Sequence, residues 1–203
     1  VIDVSSAGAV WTLTLNRPDK ANSLTEAMLI DLSDAVGEAR GQAKALIVTG
    51  TGRVFSAGAD LEAAKSGLAT SPAWEALSSA IAGFPGLTIA ALNGTVAGGA
   101  MGMVLASDIR IAVPGAKFFY PVMKLGFLPQ PSDPVRLTRL VGPARAKLIL
   151  MAGQKIDSDD ALTFGLVDEL VLPELLNSRA LELAEDTVSA ATDHVAAIKR
   201  MVP

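Results

Sequence analysis

From Ala76 to Ser107 the chain carries no charged side chain. A run of that length is long enough to cross a bilayer, yet Pro85, Gly86, Asn93, Gly94, Gly98, Gly99 and Gly102 all fall inside it. In lipid such interruptions would leave backbone groups unpaired. The run therefore reads as a strand, a turn and a helix buried inside an α/β domain. Composition agrees, because 50% apolar and 19% charged residues exclude a disordered chain. Aromatic residues make up only 4% of the sequence, so Ala, Val, Leu and Ile must build the core and let elements pack closely. The absence of cysteine excludes disulfides, thiolate catalysis and zinc–thiolate sites, and fits a reducing, cytoplasmic setting. A net charge of −4 supplies no basic excess for nucleic acid.

On either side of the run, short apolar segments alternate with amphipathic ones. Ile2–Val4, Val10–Leu15, Ala45–Thr49, Thr88–Leu92 and Ile109–Val113 read as strands. A helix capped by Ser23 or Thr25 keeps Met28, Leu29, Leu32, Val36 and Ala39 on one face. Ser71-Pro72 opens another, running from Ala73 to Ile81, and Gly98–Ala106 reads as a third. Strands alternating with helices predict an α/β fold with mostly parallel pairing. Beyond Pro129, helix starts appear at Ser132-Asp133-Pro134, Gly142-Pro143 and Ser158-Asp159-Asp160. A strand over Val167–Leu172 precedes a helical end from Pro173 to Met201. The division is a core over 1–142 and a helical region over 143–203.

The usual catalytic vocabulary is nearly empty. His194 is the only histidine, placed in a polar turn that suits a solvated surface residue and excludes a multi-histidine metal site. There is no Gly-x-Ser-x-Gly elbow, no phosphate loop and no complete dinucleotide fingerprint. Two glycine-containing strand-to-helix junctions remain, Phe55–Leu61 and Asn93–Ala100. Small residues allow a ligand close to the backbone, and a helix opening at Gly98-Gly99 leaves N–H groups free. Facing each other, two such junctions would offer two donors to one oxygen that gains negative charge. Tight turns in a closely packed core explain them equally well.

Several ordered motifs carry a resemblance to a known family. They are Asn16–Leu24, Phe55–Leu61, Asn93–Gly99, Ser107–Ala112, Lys124–Gly126, Arg136–Gly142 and Ala161–Asp168. Together they resemble the crotonase superfamily, the enoyl-CoA hydratase/isomerase family, over nearly the whole chain. The resemblance implies a crotonase-like (ClpP/crotonase) α/β fold, a repeated β-β-α spiral with a helical C-terminal part that is short relative to the family. It also implies a thioester carbonyl held by the backbone N–H groups of Ala59 and Gly99. Coenzyme A, as part of the substrate and not as a permanently bound cofactor, would lie along Lys20, Ala21, Leu24, Ala57, Ala59, Asp60 and Leu61. Lys20 or Arg17 would reach a phosphate. Family membership further implies a homotrimer or dimer of trimers and a place in fatty acid metabolism, with an acyl-CoA thioester as partner and neither nucleic acid nor membrane.

The departures from the family pattern are specific. The two glutamates that hydratases use as paired acid and base fall on Gly102 and Val122, neither of which transfers a proton. Two carboxylate substitutes present themselves less directly. Asp133 stands in a loop, Leu128–Pro134, that replaces a glycine-rich one, although capping the following helix is the plainer task for it. Tyr120, the single tyrosine, adjoins the mapped strand, with packing against Phe118 and Phe119 as the alternative. The expectation is an acyl-CoA enzyme of lyase or isomerase type that stabilises a thioester enolate without classical two-glutamate hydration. A non-catalytic acyl-CoA-binding module with the same fold is the competing reading.

Overall fold

The computed structural model describes residues 1–202. Among these residues ten strands form two sheets. The larger has the order β1 (Ile2–Ala7), β2 (Val10–Leu15), β3 (Ala45–Gly50), β5 (Leu87–Leu92), β7 (Ile109–Ala112) and β10 (Glu169–Leu170). The smaller has the order β4 (Val54–Ser56), β6 (Thr95–Ala97), β8 (Lys117–Phe119) and β9 (Ile156–Asp157). The β1–β2 and β8–β9 pairs are antiparallel and all others parallel. Three strands of the large sheet hand over to short strands of the small one: β3 to β4, β5 to β6 and β7 to β8. Helices then return the chain: α2 (Leu61–Lys65) and α3 (Ala73–Ala82), then α4 (Met101–Ala106), then α5 (Val122–Leu125). This is the β-β-α spiral that the motifs imply.

Stacking of successive turns needs close backbone contact. At Gly94, between β5 and β6, an added Cβ would lie 2.0 Å from the Arg53 carbonyl oxygen, so only glycine fits. Side-chain amides complete the stack. Asn22 donates to the carbonyls of Thr51 (2.9 Å) and Val54 (2.7 Å), and Asn93 donates to that of Gly52 (3.0 Å).

The uncharged run now has its reason. Five of the six residues of β5 and all six of α4 are buried, so neither element has a face to offer water. No helix among the described residues is long and apolar enough to cross a membrane. Helix α1 (Glu26–Ala39) starts at Thr25, whose hydroxyl accepts from the Met28 N–H, and buries Met28, Leu29, Leu32, Ala35, Val36 and Ala39. Such a cap stabilises a helix by about 1 kcal/mol.

After α6 (Asp133–Val141), α7 (Pro143–Leu150) and α8 (Ser158–Phe164), the chain ends in α9 (Leu176–Ser189) and α10 (Thr192–Met201). Helix α9 lies on β2, β3, β5 and β7. Cations fasten this region: Lys44 donates to the Val188 and Ala190 carbonyls, and Lys199 pairs with Asp108 at 2.8 Å. Buried Arg110 pairs with Asp168 at 3.2 Å. The strand expected over Val167–Leu172 shrinks to Glu169–Leu170, and the helical end breaks between Ser189 and Thr192. The run Gly98–Ala106 opens with one 3-10 turn, Gly98–Ala100, before α4.

Candidate active site

The two glycine junctions touch. Gly58, with φ of +88°, follows β4, and a Cβ there would lie 2.7 Å from the Ala97 carbonyl oxygen and 3.5 Å from the Gly98 Cα. Only glycine combines this left-handed backbone with so close an approach. The loop is held from behind. Leu24 N donates to the Gly58 carbonyl (2.7 Å), Ala57 N to that of Ala21 (3.0 Å) and Asp60 N to that of Leu24 (2.8 Å). The Gly58 N–H donates to Ser56 Oγ (3.1 Å). Among the described residues, that leaves the Ala59 N–H without a protein partner. Across the contact, the Gly99 N–H lies in the first turn after Ala97, where a helix provides no acceptor. Ala59 and Gly99 each stand one residue past the touching pair Gly58 and Gly98.

The residues mapped to coenzyme A fall on the same strip in different ways. Ala21, Leu24, Ala57 and Asp60 are joined by the backbone bonds just described, and Ala59 stands opposite Leu24 in a parallel bridge. The Leu24 side chain is fully buried, so only its backbone lies on the strip. Lys20 is exposed in a short turn, and Leu61 is 79% exposed at the start of α2. Arg17 is engaged elsewhere: it donates to Asp60 (2.9 Å) and to the Ser23 carbonyl (3.2 Å). Asp60 also caps α2, and the Ala63 N–H together with Arg17 holds its carboxyl below the ordinary value.

Beside Gly99 the site is walled by aromatic and amide groups. A Cβ on Gly99 would lie 2.9 Å from the Trp74 ring, which is buried and fixed by its Nε1 donating to the Leu68 carbonyl (2.8 Å). At Gly102 a Cβ would lie 2.6 Å from Gln130 Oε1. The Gln130 carboxamide thus fills the space into which a side chain at 102 would project. Its Nε2 donates to the Gly99 carbonyl at 2.8 Å. Val122, the other mapped acid/base position, is buried at the start of α5.

Asp133 and Tyr120 meet. Tyr120 donates its hydroxyl to Asp133 Oδ2 at 2.9 Å, and accepts from the Gln130 backbone N–H at 3.3 Å. Asp133 does not cap α6. It is the first residue of that helix, 1% exposed, and its Oδ1 has no partner. Helix α6 is held instead through Ser132, whose N–H and hydroxyl both donate to Glu75. Burial pushes the Asp133 carboxyl up to about 7; the Tyr120 bond and nearby Arg136 oppose the rise, and Glu75 adds to it. Burial, then the Asp133 charge, raises the Tyr120 phenol, which stays neutral. Burial also works on Glu75, but the bonds from Ser132 outweigh it and keep that carboxyl below its ordinary value.

Sequence reasoning named Tyr120 and Asp133 separately, gave Gln130 no role of its own and missed Trp74 as a site residue. The signal for Gln130 was the loop that replaces a glycine-rich one. His194 is exposed, as expected of a surface residue. A cavity of about 510 Å³ lies elsewhere, between β1, β2 and α9. Its lining includes Ser5, Thr12, Thr14, Thr49 and Asn177, with no group able to exchange a proton near neutrality.

Residues 5–203 match the family model described as enoyl-CoA hydratase/isomerase. The chain is 34% identical to a carnitinyl-CoA dehydratase of Citrobacter koseri, over 96% of this chain and 77% of that one. It is 36% identical to the probable enoyl-CoA hydratase EchA14 of Mycobacterium tuberculosis, over 94% and 76%. Among solved structures, an enoyl-CoA hydratase from Bacillus anthracis superposes with a TM-score of 0.89 at 32% identity, over 98% of this chain and 81% of that one.

Proposed function

Because the chain belongs to the enoyl-CoA hydratase/isomerase family, we propose that it processes an acyl-CoA thioester through an enolate, using a backbone oxyanion hole. The Ala59 and Gly99 N–H groups hold the thioester oxygen. The observation that carries this reading is the contact of Gly58 with Ala97 and Gly98, which sets the two junctions together. Removing one donor of such a hole costs about 10²–10³-fold in rate. Because both donors are backbone, their strength depends on loop position and not on side-chain identity.

The strip Lys20, Ala21, Leu24, Ala57, Ala59, Asp60 and Leu61 takes the coenzyme A portion, with Lys20 in place for a phosphate. Arg17 serves as an internal clamp on Asp60. Coenzyme A arrives and leaves with the substrate.

Addition of water across a double bond needs a paired acid and base. Gly102 and Val122 cannot supply them, and Gln130 occupies the space beside Gly102. The reaction is therefore one without that acid and base pair, the enolate forming by loss of carbon dioxide or by loss of an α-proton to a single base. The same two residues favour the competing reading, an acyl-CoA-binding module without turnover.

A panel of acyl-CoA thioesters, followed by calorimetry and mass spectrometry, separates these readings. Saturable binding with product from at least one member is expected, with crotonyl-CoA hydration near background. Robust hydration of crotonyl-CoA would overturn the argument from Gly102 and Val122. Binding with no product across the panel would favour the module. A homotrimer or dimer of trimers is proposed as the working assembly, and light scattering at a monomer mass would count against it.

A further inference from the structure

We infer that Asp133, Tyr120 and Gln130 form the proton-handling set of this site, replacing the missing glutamates with a carboxyl that works through a phenol. The inference rests on the proposed binding of the thioester at Ala59 and Gly99. Three observations carry it.

The first is continuity. Gln130 Nε2 donates to the Gly99 carbonyl at 2.8 Å, and the same nitrogen lies 3.5 Å from the Tyr120 hydroxyl oxygen. The Tyr120 hydroxyl in turn contacts Asp133 Oδ2 at 2.9 Å. An unbroken polar chain thus runs from the residue of the second oxyanion donor to a buried carboxyl.

The second is unspent hydrogen-bonding capacity. Gln130 Oε1 and Asp133 Oδ1 are both buried with no partner among the described residues. A buried acceptor left unpaired costs about 1–3 kcal/mol, so two in one cluster call for a donor, from substrate or water, that the chain does not itself supply. Gln130 Oε1 is the atom that would meet a side chain at 102, so its free lone pairs face the place where a hydratase would present its first glutamate.

The third is seclusion. Asp133 is 1% and Tyr120 5% exposed, so bulk water does not compete for the proton between them. Its protonation near neutrality suits both giving and taking a proton. The charged groups that face it are Glu75, across Ser132, and Arg136, one turn along α6.

With the carboxyl proton on Oδ2, the Asp133–Tyr120 contact runs in reverse and the phenol hydrogen turns to the substrate. The enolate α-carbon takes the Tyr120 proton and forms a C–H bond while the enolate oxygen returns to a carbonyl. The Tyr120 oxygen takes the Asp133 proton, and Asp133 becomes a carboxylate. Reversal of the same step removes an α-proton. Gln130 transfers no proton; it is a positioning residue, anchored on Gly99 and accepting through Oε1 from a substrate or water O–H.

The test is α-proton exchange of butyryl-CoA in deuterium oxide, followed by proton NMR, with affinity measured in parallel by calorimetry. The wild type is expected to bind and to exchange well above free butyryl-CoA. Tyr120→Phe and Asp133→Asn should each lower exchange by about 10²-fold or more with affinity within about threefold. The wild-type rate should titrate near pH 7, a dependence that Asp133→Asn loses. Undiminished exchange in Tyr120→Phe and Asp133→Asn, with binding intact, would overturn the relay and spare the acyl-CoA reading. Binding without wild-type exchange would do the same, as would loss of affinity in step with exchange. Absence of any binding by the wild type would overturn both. Tyr120→Phe keeps the buried ring, so it serves if Asp133→Asn fails to fold.

Discussion

A carboxyl held protonated by burial weakens a fold at neutral pH, and replacing Asp133 by Asn makes that cost measurable. In the folded chain the Asp133 carboxyl titrates near 7, against 3.8 for an unperturbed aspartate. Between those values the folded state holds a proton that the unfolded chain has released, so stability falls as pH rises through the window. The full shift from 3.8 to about 7 corresponds to about 4 kcal/mol, at ~1.4 kcal/mol per unit. Below about pH 4 the contribution vanishes, and above about pH 8 it is constant. An amide keeps the shape and the bond from Tyr120, but it leaves an NH2 without a partner where Oδ1 now lies. That omission costs about 1–3 kcal/mol, whereas the neutral acid turns its O–H to the Tyr120 oxygen. Asp133→Asn should therefore fall about 1–3 kcal/mol below the wild type near pH 3.5 and exceed it by about 1–3 kcal/mol at pH 8. Urea unfolding at fixed protein concentration across this range measures the difference, provided the m-value stays constant. Equal destabilisation at pH 5 and pH 8 would show that Asp133 ionises like a surface aspartate and would refute the burial argument.

Other substitutions probe the contacts that shape the site. Gly58→Ala places a methyl 2.7 Å from the Ala97 carbonyl oxygen at φ +88°; it should cost about 2 kcal/mol or more in urea unfolding and lower α-proton exchange about 10²-fold by parting the donors. Gly94→Ala puts a methyl 2.0 Å from the Arg53 carbonyl oxygen, with backbone on both sides, and should cost about 3 kcal/mol or more, read as a lower urea midpoint. Trp74→Ala should cost about 3–5 kcal/mol, while Trp74→Phe refills most of the space and loses mainly the bond to the Leu68 carbonyl, about 1–3 kcal/mol.

The long strands and helices were legible because burial leaves a periodic trace. Ala45–Thr49 and Thr88–Leu92 read as strands from apolar continuity alone, and the structure extends each by one residue. Most of the small sheet left no such trace. Strands β6 and β8 have three residues each and β9 has two, too short for any period to register. The contact between the junctions was legible only as a possibility, because it depends on the stacking of β4 against β6 and not on either segment. Asp133 shows the same limit: a residue at a helix start is expected to cap it, yet Tyr120, thirteen positions earlier, captures its carboxylate. Glu75 on α3 takes over the bonds at the start of α6, a substitution no local pattern reveals.

The charge-free interior has a consequence outside the folded state. Between Glu75 and Asp108 a nascent chain presents no charge to keep neighbouring chains apart, and the apolar strand β5 lies within that stretch. Gatekeeper charges normally flank such strands at close range. Here β5 finds its parallel partners, β3 and β7, only when segments on both sides of it have been made. Parallel pairing is slow to form, so the interval in which this segment stands exposed is set by synthesis of the strand that follows it. Refolding from urea should accordingly give a yield that drops steeply with protein concentration, with the segment around β5 as the seed of the aggregate.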